Sequence, residues 1–478
     1  METRGSNGNA GFHLGRKRLP RSSEYRPRRM ARLAEVVAGA AALSTLLSVS
    51  IPAAQSAGAY VVAAAETCDG WPRAPIETIP GICAGIVIAP QPGQFARREL
   101  RLPRSILPLS SSSFVIVDLG AWTGSNGAVW RLTLSPGRPP QLDRLLSGLQ
   151  LPHGLGRGPD GHVYVGEMNR VFRFDPDAAK PQQTIEAVVT DLPGNRLHEN
   201  RHPLSSFIFD GNGDLLINVG APSDRCLDAE GQPKRTATGR CAETDGAEAP
   251  AAIRRYEYLG NGQWSSEFQT AARGLRNSLA LARHSSGTIV QAENSIDYSD
   301  AARPFEELNV IGTGAHYGWP YCFDLDRTAL DWTGASPMAC TGSAHARPHT
   351  LLPPHSAPLG MLYYNGVMFP DLQGNLLIAL HGYRQAGARL AAMEVAPDGL
   401  PPVKKGTRYS VYANGRIETR PYPAPAAEIR VLTPRWDVVR GRRPMGTPVG
   451  LAVADDGAIW VVEDKNATVL RFAVEKVK

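Results

Sequence analysis

Long hydrophobic segments are scarce in this 478-residue chain, aromatic residues make up only 7% of it, and its six cysteines form neither a CxxC nor a CxxCH. Without CxxC the usual thiolate spacing of a structural zinc site is missing. Without CxxCH there is no attachment point for a c-type haem. Long amphipathic helical patterns are also few, which argues against a helical bundle. Short apolar runs bounded by turn residues dominate instead, among 48 Gly and 39 Pro, and that is the pattern of an all-β protein.

The single extended apolar segment is Val36 to Ile51, and the first 32 residues of the chain carry nine Arg/Lys against two acids. A basic stretch followed by an apolar one reads as an export leader rather than a fold element. Sixteen residues interrupted by Ser and Thr are short for a stable membrane span. Ala57-Gly58-Ala59 is the best small-residue cleavage point, and Met30 is an alternative start. Residues 1–59 carry nine bases and three acids, a surplus equal to the formal net charge of +6 for the whole chain. The remainder is therefore near neutral and has no basic stripe of the kind that binds nucleic acid.

All six cysteines follow the leader, in the sequence-near pairs Cys68 and Cys83, Cys226 and Cys241, Cys322 and Cys340. An even count behind a leader favours disulfides and an oxidising, periplasmic or secreted location. Six cysteines permit about fifteen connectivities, of which near-neighbour pairing is the one expected.

One phrase recurs six times: a small or Pro-led strand, a Gly turn, an alternating apolar strand, and often an Arg in a further strand. The copies are Ser113 to Leu132, Leu151 to Phe174, His202 to Tyr258, Arg273 to Asn294, Ser356 to Val395 and Gly446 to Phe472. Turns at Pro159-Asp160-Gly161, Gly211-Asn212-Gly213, Ser286-Gly287, Gln373-Gly374 and Asp456-Gly457 punctuate the last five. Repetition of a four-stranded unit at this length predicts a six-bladed β-propeller whose last strands lie near its first. Residues 60–100 read as a leading strap, 101–478 as the propeller, and Lys404 to Arg443 as a polar insert.

The stretch Arg273 to Pro320 concentrates chemistry. It contains ARGLRN (Ala272 to Asn277), QAEN (Gln291 to Asn294), EELN (Glu306 to Asn309) and HYGWP (His316 to Pro320). A guanidinium pairs bidentately with carboxylates, Glu and Asn offer oxygens suited to calcium, and Tyr or Trp can cover a ring face. Together they fit a flat, anionic, aromatic ligand and a hard cation.

From about Leu100 onward the chain resembles the soluble sugar dehydrogenases that use pyrroloquinoline quinone (PQQ), the glucose, aldose and sorbosone enzymes. The resemblance runs through LPHGL…PDGHVYVGE, RHPLSSFIFDGNGDLLINVG, HSAPLGMLYYNGVMFP and GTPVGLAVADDGAIWVVED. It implies a PQQ- and calcium-dependent oxidation of a sugar or sorbosone-like aldehyde, with electrons leaving through a separate acceptor. His202 corresponds to the proton-accepting base, with His198 as its competitor. Arg276 and Asn277 correspond to the pair that holds the cofactor carboxylates. Arg384 matches a further cofactor-binding arginine loosely, and Arg389 is an equal candidate. Glu293 is the expected metal ligand, with Glu307 and Asn309 as supporting residues. Tyr317 and Trp319 fit a ring-stacking wall for the cofactor or, equally, a packed turn. His153 matches a position near the channel mouth, for pocket lining or packing.

The chain departs from the glucose enzymes at Ser206, where they carry Arg, and at Arg201, where they carry an acid. The departure at Ser206 moves the resemblance toward the sorbosone and aldose branches, and the charge of Arg201 lowers the proton affinity expected of His202. Two other functions compete: a calcium-dependent lactonase-type propeller hydrolase, and a binding propeller that has lost the cofactor. Arg276-Asn277 favours the dehydrogenase over the first, and Ser206 keeps the second open.

Overall fold

Six sheets of four or five strands, antiparallel apart from one added strand, form the body of the fold. The computed structural model describes residues 55–57, 60–62, 66–90, 99–193, 200–333, 336–436 and 446–475. Residues 1–54, which hold most of the expected leader and Met30, lie outside the described residues, as does His198. So do 437–443, the end of the polar insert. Among the described residues the only helical pieces are 3-10 turns of three or four residues.

The sheets are the blades of a six-bladed β-propeller. Blade one runs Pro103–Ser110, Ser113–Asp118, Gly127–Thr133, Gln141–Leu149, and blade two Gly154–Arg157, Val163–Gly166, Val171–Phe174, Glu186–Val189. Blade three is Phe207–Phe209, Leu215–Val219, Ala252–Gly260, Gln263–Arg273, with Ala315–His316 added in parallel. Blade four is Ala280–Arg283, Ile289–Glu293, Glu306–Val310, Thr350–Leu352, and blade five Pro358–Tyr363, Leu376–Leu380, Arg389–Met393, Arg430–Val431.

Blade six combines Pro448–Val453, Ile459–Glu463 and Thr468–Val474 with Ile82–Ile88 from the start of the chain. The register pairs Ala84 with Phe472 and Ile82 with Val474. Residues 82–88, read from sequence as part of a strap, thus belong to a blade. The buried ICAGIVI segment completes the open edge of the last sheet, which covers an otherwise exposed edge.

Each innermost strand packs against the next, and Pro448–Val453 packs against Pro103–Ser110 to close the ring. Close approach there requires glycine. A Cβ on Gly360 would stand 2.1 Å from the Val449 carbonyl oxygen, and one on Gly450 would stand 2.6 Å from that of Arg104. The second strand of each blade is buried on both faces, as in LLINV, LLIAL and IWVVE, so these segments read as continuous apolar runs.

Three disulfides form: Cys68–Cys83, Cys226–Cys241 and Cys322–Cys340. The last two staple long inserts that share one small core with Trp319, Tyr321 and Trp332. Tyr321 Oη bridges the inserts by accepting the Cys241 N–H at 2.6 Å. Replacing Cys226 and Cys241 together by serine is expected to cost about 2–4 kcal/mol of stability, read as a lowered thermal midpoint on the non-reduced protein.

Candidate active site

A cavity of about 510 Å³ opens over the propeller axis, within the usual range for ligand pockets. Four arginines line it (Arg104, Arg201, Arg276 and Arg384) against the carboxylates of Asp297, Glu306 and Asp464.

One wall comes from the connections into blades three and four. The turn at Arg276-Asn277 leaves the outer strand of blade three, and the buried Glu293 side chain holds it. One Glu293 oxygen accepts the backbone N–H groups of Arg276 and Asn277, and the other accepts from Ser278 Oγ at 2.9 Å and Gln291 Nε2 at 2.8 Å. Burial raises this carboxyl above the ordinary glutamate range, while those donors and Arg276 oppose the shift. With both oxygens engaged, Glu293 stands behind the cavity wall as a brace for the turn. Glu307 and Asn309 are buried beside it on the neighbouring strand.

The Arg276 guanidinium is itself buried. Its Nε donates to Asp224 at 2.8 Å, one terminal nitrogen to the Asn294 carbonyl at 2.9 Å and the other to Asp297 at 2.9 Å. A guanidinium carries five N–H donors, so two remain for a ligand. Trp319 does not reach the cavity. It packs in the core of the disulfide-stapled inserts, and its indole N–H donates to the Asp224 carbonyl at 3.0 Å. Tyr317 is likewise buried, donating to the Val310 carbonyl. HYGWP is a packed turn that supports Asp224, not a ring-stacking wall.

His202 lines the same cavity. Its Nδ1 lies 2.6 Å from the Ala221 carbonyl oxygen. That oxygen can only accept, so Nδ1 carries the proton and Nε2 is left with the lone pair. The Ala221 N–H in turn donates to the Arg276 carbonyl at 2.8 Å, which ties the histidine to the arginine turn. Burial, then the charges of Arg276 and Arg201, push His202 well below the ordinary imidazole value, against the Ala221 bond. The ring is therefore neutral at pH 7 and able to accept a proton. Ser206 faces the narrower channel below, away from this cavity.

Residues of blades one, five and six form the facing wall, and sequence reading passed over most of them. Asp464 accepts from Arg104 at 2.6 Å and pairs with His381 Nε2 at 2.9 Å, all three buried. Burial pushes the Asp464 carboxyl up, but His381 and Arg104 more than reverse this and hold it below the usual range. Arg104 also donates Nε to His153 Nδ1 at 3.2 Å, and His153 faces the lower channel. A signal for these residues exists in the sequence. The buried second strands end in or next to a buried polar group at Asp118, Glu167, Glu293, His381 and Asp464.

Arg384 lines the cavity and donates to the Tyr298 and Asp300 carbonyls at 3.1 Å each. Its rival Arg389 is buried elsewhere, anchoring Ser410 of a hairpin in the polar insert.

The fold and this cavity define a six-bladed propeller with an arginine-rich site on its axis. A sequence model of the TrAA12-like family matches residues 94–475, and the chain belongs to that family. Among solved structures, it is similar to the holo form of the PQQ domain of pyranose dehydrogenase from Coprinopsis cinerea. That match has 20% identity and a TM-score of 0.57, over 85% of this chain and 99% of that one. The calcium structure of a Trichoderma reesei family AA12 carbohydrate-active enzyme matches with 18% identity and a TM-score of 0.58, over 86% and 100%. The apo form of the soluble aldose sugar dehydrogenase from Escherichia coli gives 15% identity and a TM-score of 0.50, over 82% and 100%. An uncharacterized protein of Borreliella burgdorferi is 24% identical over 212 residues, 44% of this chain, and the chain spans about half of that relative's length.

Proposed function

We propose that this protein is a PQQ-dependent dehydrogenase that oxidises a sugar or related aldehyde. The observation that carries the reading is a neutral buried imidazole, His202, whose free Nε2 shares one cavity with the Arg276-Asn277 turn. The relatives are consistent with it: one is the holo form of a PQQ domain and another a calcium structure.

The residues fit the cofactor. PQQ is flat and carries several carboxylates, and the cavity sets four guanidiniums against three acids. Arg276 would take a carboxylate with its two remaining N–H donors, with Asn277 beside it and Arg384 at the rim. When bound, the quinone supplies the two-electron acceptor. Calcium prefers oxygen ligands, and the cavity offers Asp297 and Asn294. Glu293, the ligand expected from sequence, would act one layer back by fixing the turn.

His202 Nε2 would take the proton from the substrate hydroxyl, and the Ala221 carbonyl would steady the resulting imidazolium through Nδ1–H. Arg201 and Arg276 oppose that charge, keeping the ring neutral until substrate delivers the proton. The disulfides and the leader fit a periplasmic or secreted enzyme that passes electrons to a separate acceptor.

The test is to strip the purified protein of metal, add PQQ with calcium, and follow dye reduction over a panel of aldoses and sorbosone. Quinone uptake with sugar-dependent reduction is expected. Absence of quinone binding would sink the reading in favour of a binding propeller.

A further inference from the structure

A single exposed aromatic ring is ordinary on a protein surface, but aromatic rings that line one pocket are candidates for ligand contact. Among the described residues only two aromatic side chains are exposed, Trp122 at 40% and Tyr383 at 51%. Both line the cavity. Trp122 sits in the turn between Ser113–Asp118 and Gly127–Thr133 of blade one, with Arg104 Cζ and Lys465 Nζ each 5.9 Å from its ring centre. Tyr383 follows the second strand of blade five, its ring tilted 64° to that of His381 at 5.0 Å between centres. These rings therefore stand above the Arg104–Asp464–His381 group.

The Tyr383 loop is braced from outside. Gln385, two residues on, gives its carbonyl to the Tyr412 N–H at 2.8 Å and to Arg389 at 3.2 Å, and its side chain accepts from Arg420 at 3.0 Å. Those contacts come from the strands Arg408–Ala413 and Arg416–Pro421 and from Arg389, so the polar insert stiffens the rim where the ring is presented.

We propose that Trp122 and Tyr383 form a sugar-binding platform at the cavity mouth, which holds a second pyranose ring of a disaccharide or longer saccharide. This rests on the sugar-oxidising reading and names the substrate class. A pyranose shows one face rich in polarised C–H groups and a rim of hydroxyls. Aromatic faces carry negative charge density that attracts such C–H groups, and Arg104 and His381 line the same cavity beside the rings. The position fits as well. His202 and Arg276 project from the blade-three and blade-four side, and in a closed ring of six blades the arc of blades five, six and one, which carries Tyr383 and Trp122, lies across the axis from blades two to four. A saccharide with its reacting end at His202 would lay a further ring across the platform.

The experiment is calorimetric titration of the full chain with cellobiose and with glucose, which needs no turnover. Wild type is expected to bind cellobiose about tenfold more tightly than glucose, the scale of one favourable ring stack. Trp122→Ala and Tyr383→Ala should each remove most of that preference, with Trp122→Phe and Tyr383→Phe retaining it. Circular dichroism would verify that each variant is folded. Equal affinity of wild type for the two sugars, or an unchanged preference in both alanine variants, would overturn the platform. So would a loss of PQQ uptake in Trp122→Ala with cellobiose affinity intact, because the ring would then serve the cofactor. The two readings fail separately. A preference lost in the alanine variants upholds the platform even if no quinone binds, whereas quinone-dependent turnover without the preference upholds only the dehydrogenase.

Discussion

His202→Ala is expected to lower turnover by about 10²- to 10⁴-fold, the usual contribution of a positioned proton acceptor. PQQ uptake, followed by its absorbance on the protein, should stay close to wild type, because the cofactor's carboxylates are assigned to Arg276. The pH profile gives an independent check. The activity requires the neutral ring, and burial with Arg276 and Arg201 depresses the folded-state value. Activity should therefore persist through pH 7 and fall only as pH drops below the ordinary imidazole value of about 6.5. The stability contributed by the neutral ring follows the same direction, present above the unfolded value and lost in acid. Removing the nearby charge with Arg201→Ala should move the acid limb to higher pH. A limb that disappears in His202→Ala and does not move in Arg201→Ala would assign the base correctly but its tuning wrongly.

The opposite pattern is expected for Arg276. Arg276→Ala leaves Asp224, a buried carboxylate, without its 2.8 Å partner. Breaking a buried pair from one side costs about 3–5 kcal/mol, so the thermal midpoint should fall together with quinone affinity. Arg276→Lys keeps the charge but not the planar fork. It should restore much of the stability while quinone affinity stays weak. If the lysine variant took up PQQ as tightly as wild type, the forked pairing would be wrong. The Asp297 contact adds little to the stability loss, since that side chain is 65% exposed and its pairing is screened by water.

The fold was legible because it repeats. Six copies of one phrase are visible without any partner chain, and the turn glycines Gly161, Gly213, Gly287, Gly374 and Gly457 all take positive φ, the conformation glycine tolerates best. The strand Ile82–Ile88 was harder to place, because nothing in its own sequence shows which sheet edge needs it. At the site, His202 and Arg276 stood out through local words that survive out of context. Glu293 was misleading for a physical reason. A carboxylate beside an Arg-Asn turn reads as a ligand for cations, yet backbone and side-chain donors already occupy both oxygens. Arg104 and Asp464 are 360 residues apart, and only ring closure brings them into contact. HYGWP stayed open between two readings, since Tyr and Trp are equally suited to face a ligand or fill a core, and the burial of Tyr317 and Trp319 favours the packed turn.

Pairing Ala84 with Phe472 has a consequence for how the molecule is made. The last blade cannot zip up until the final strand has been synthesised, so the ring stays open throughout elongation. Bringing such distant segments together is slow, because chain entropy is lost before any contact rewards it. Here the latch joins Ile82–Ile88 to Thr468–Val474, and the earlier strand waits for the later one.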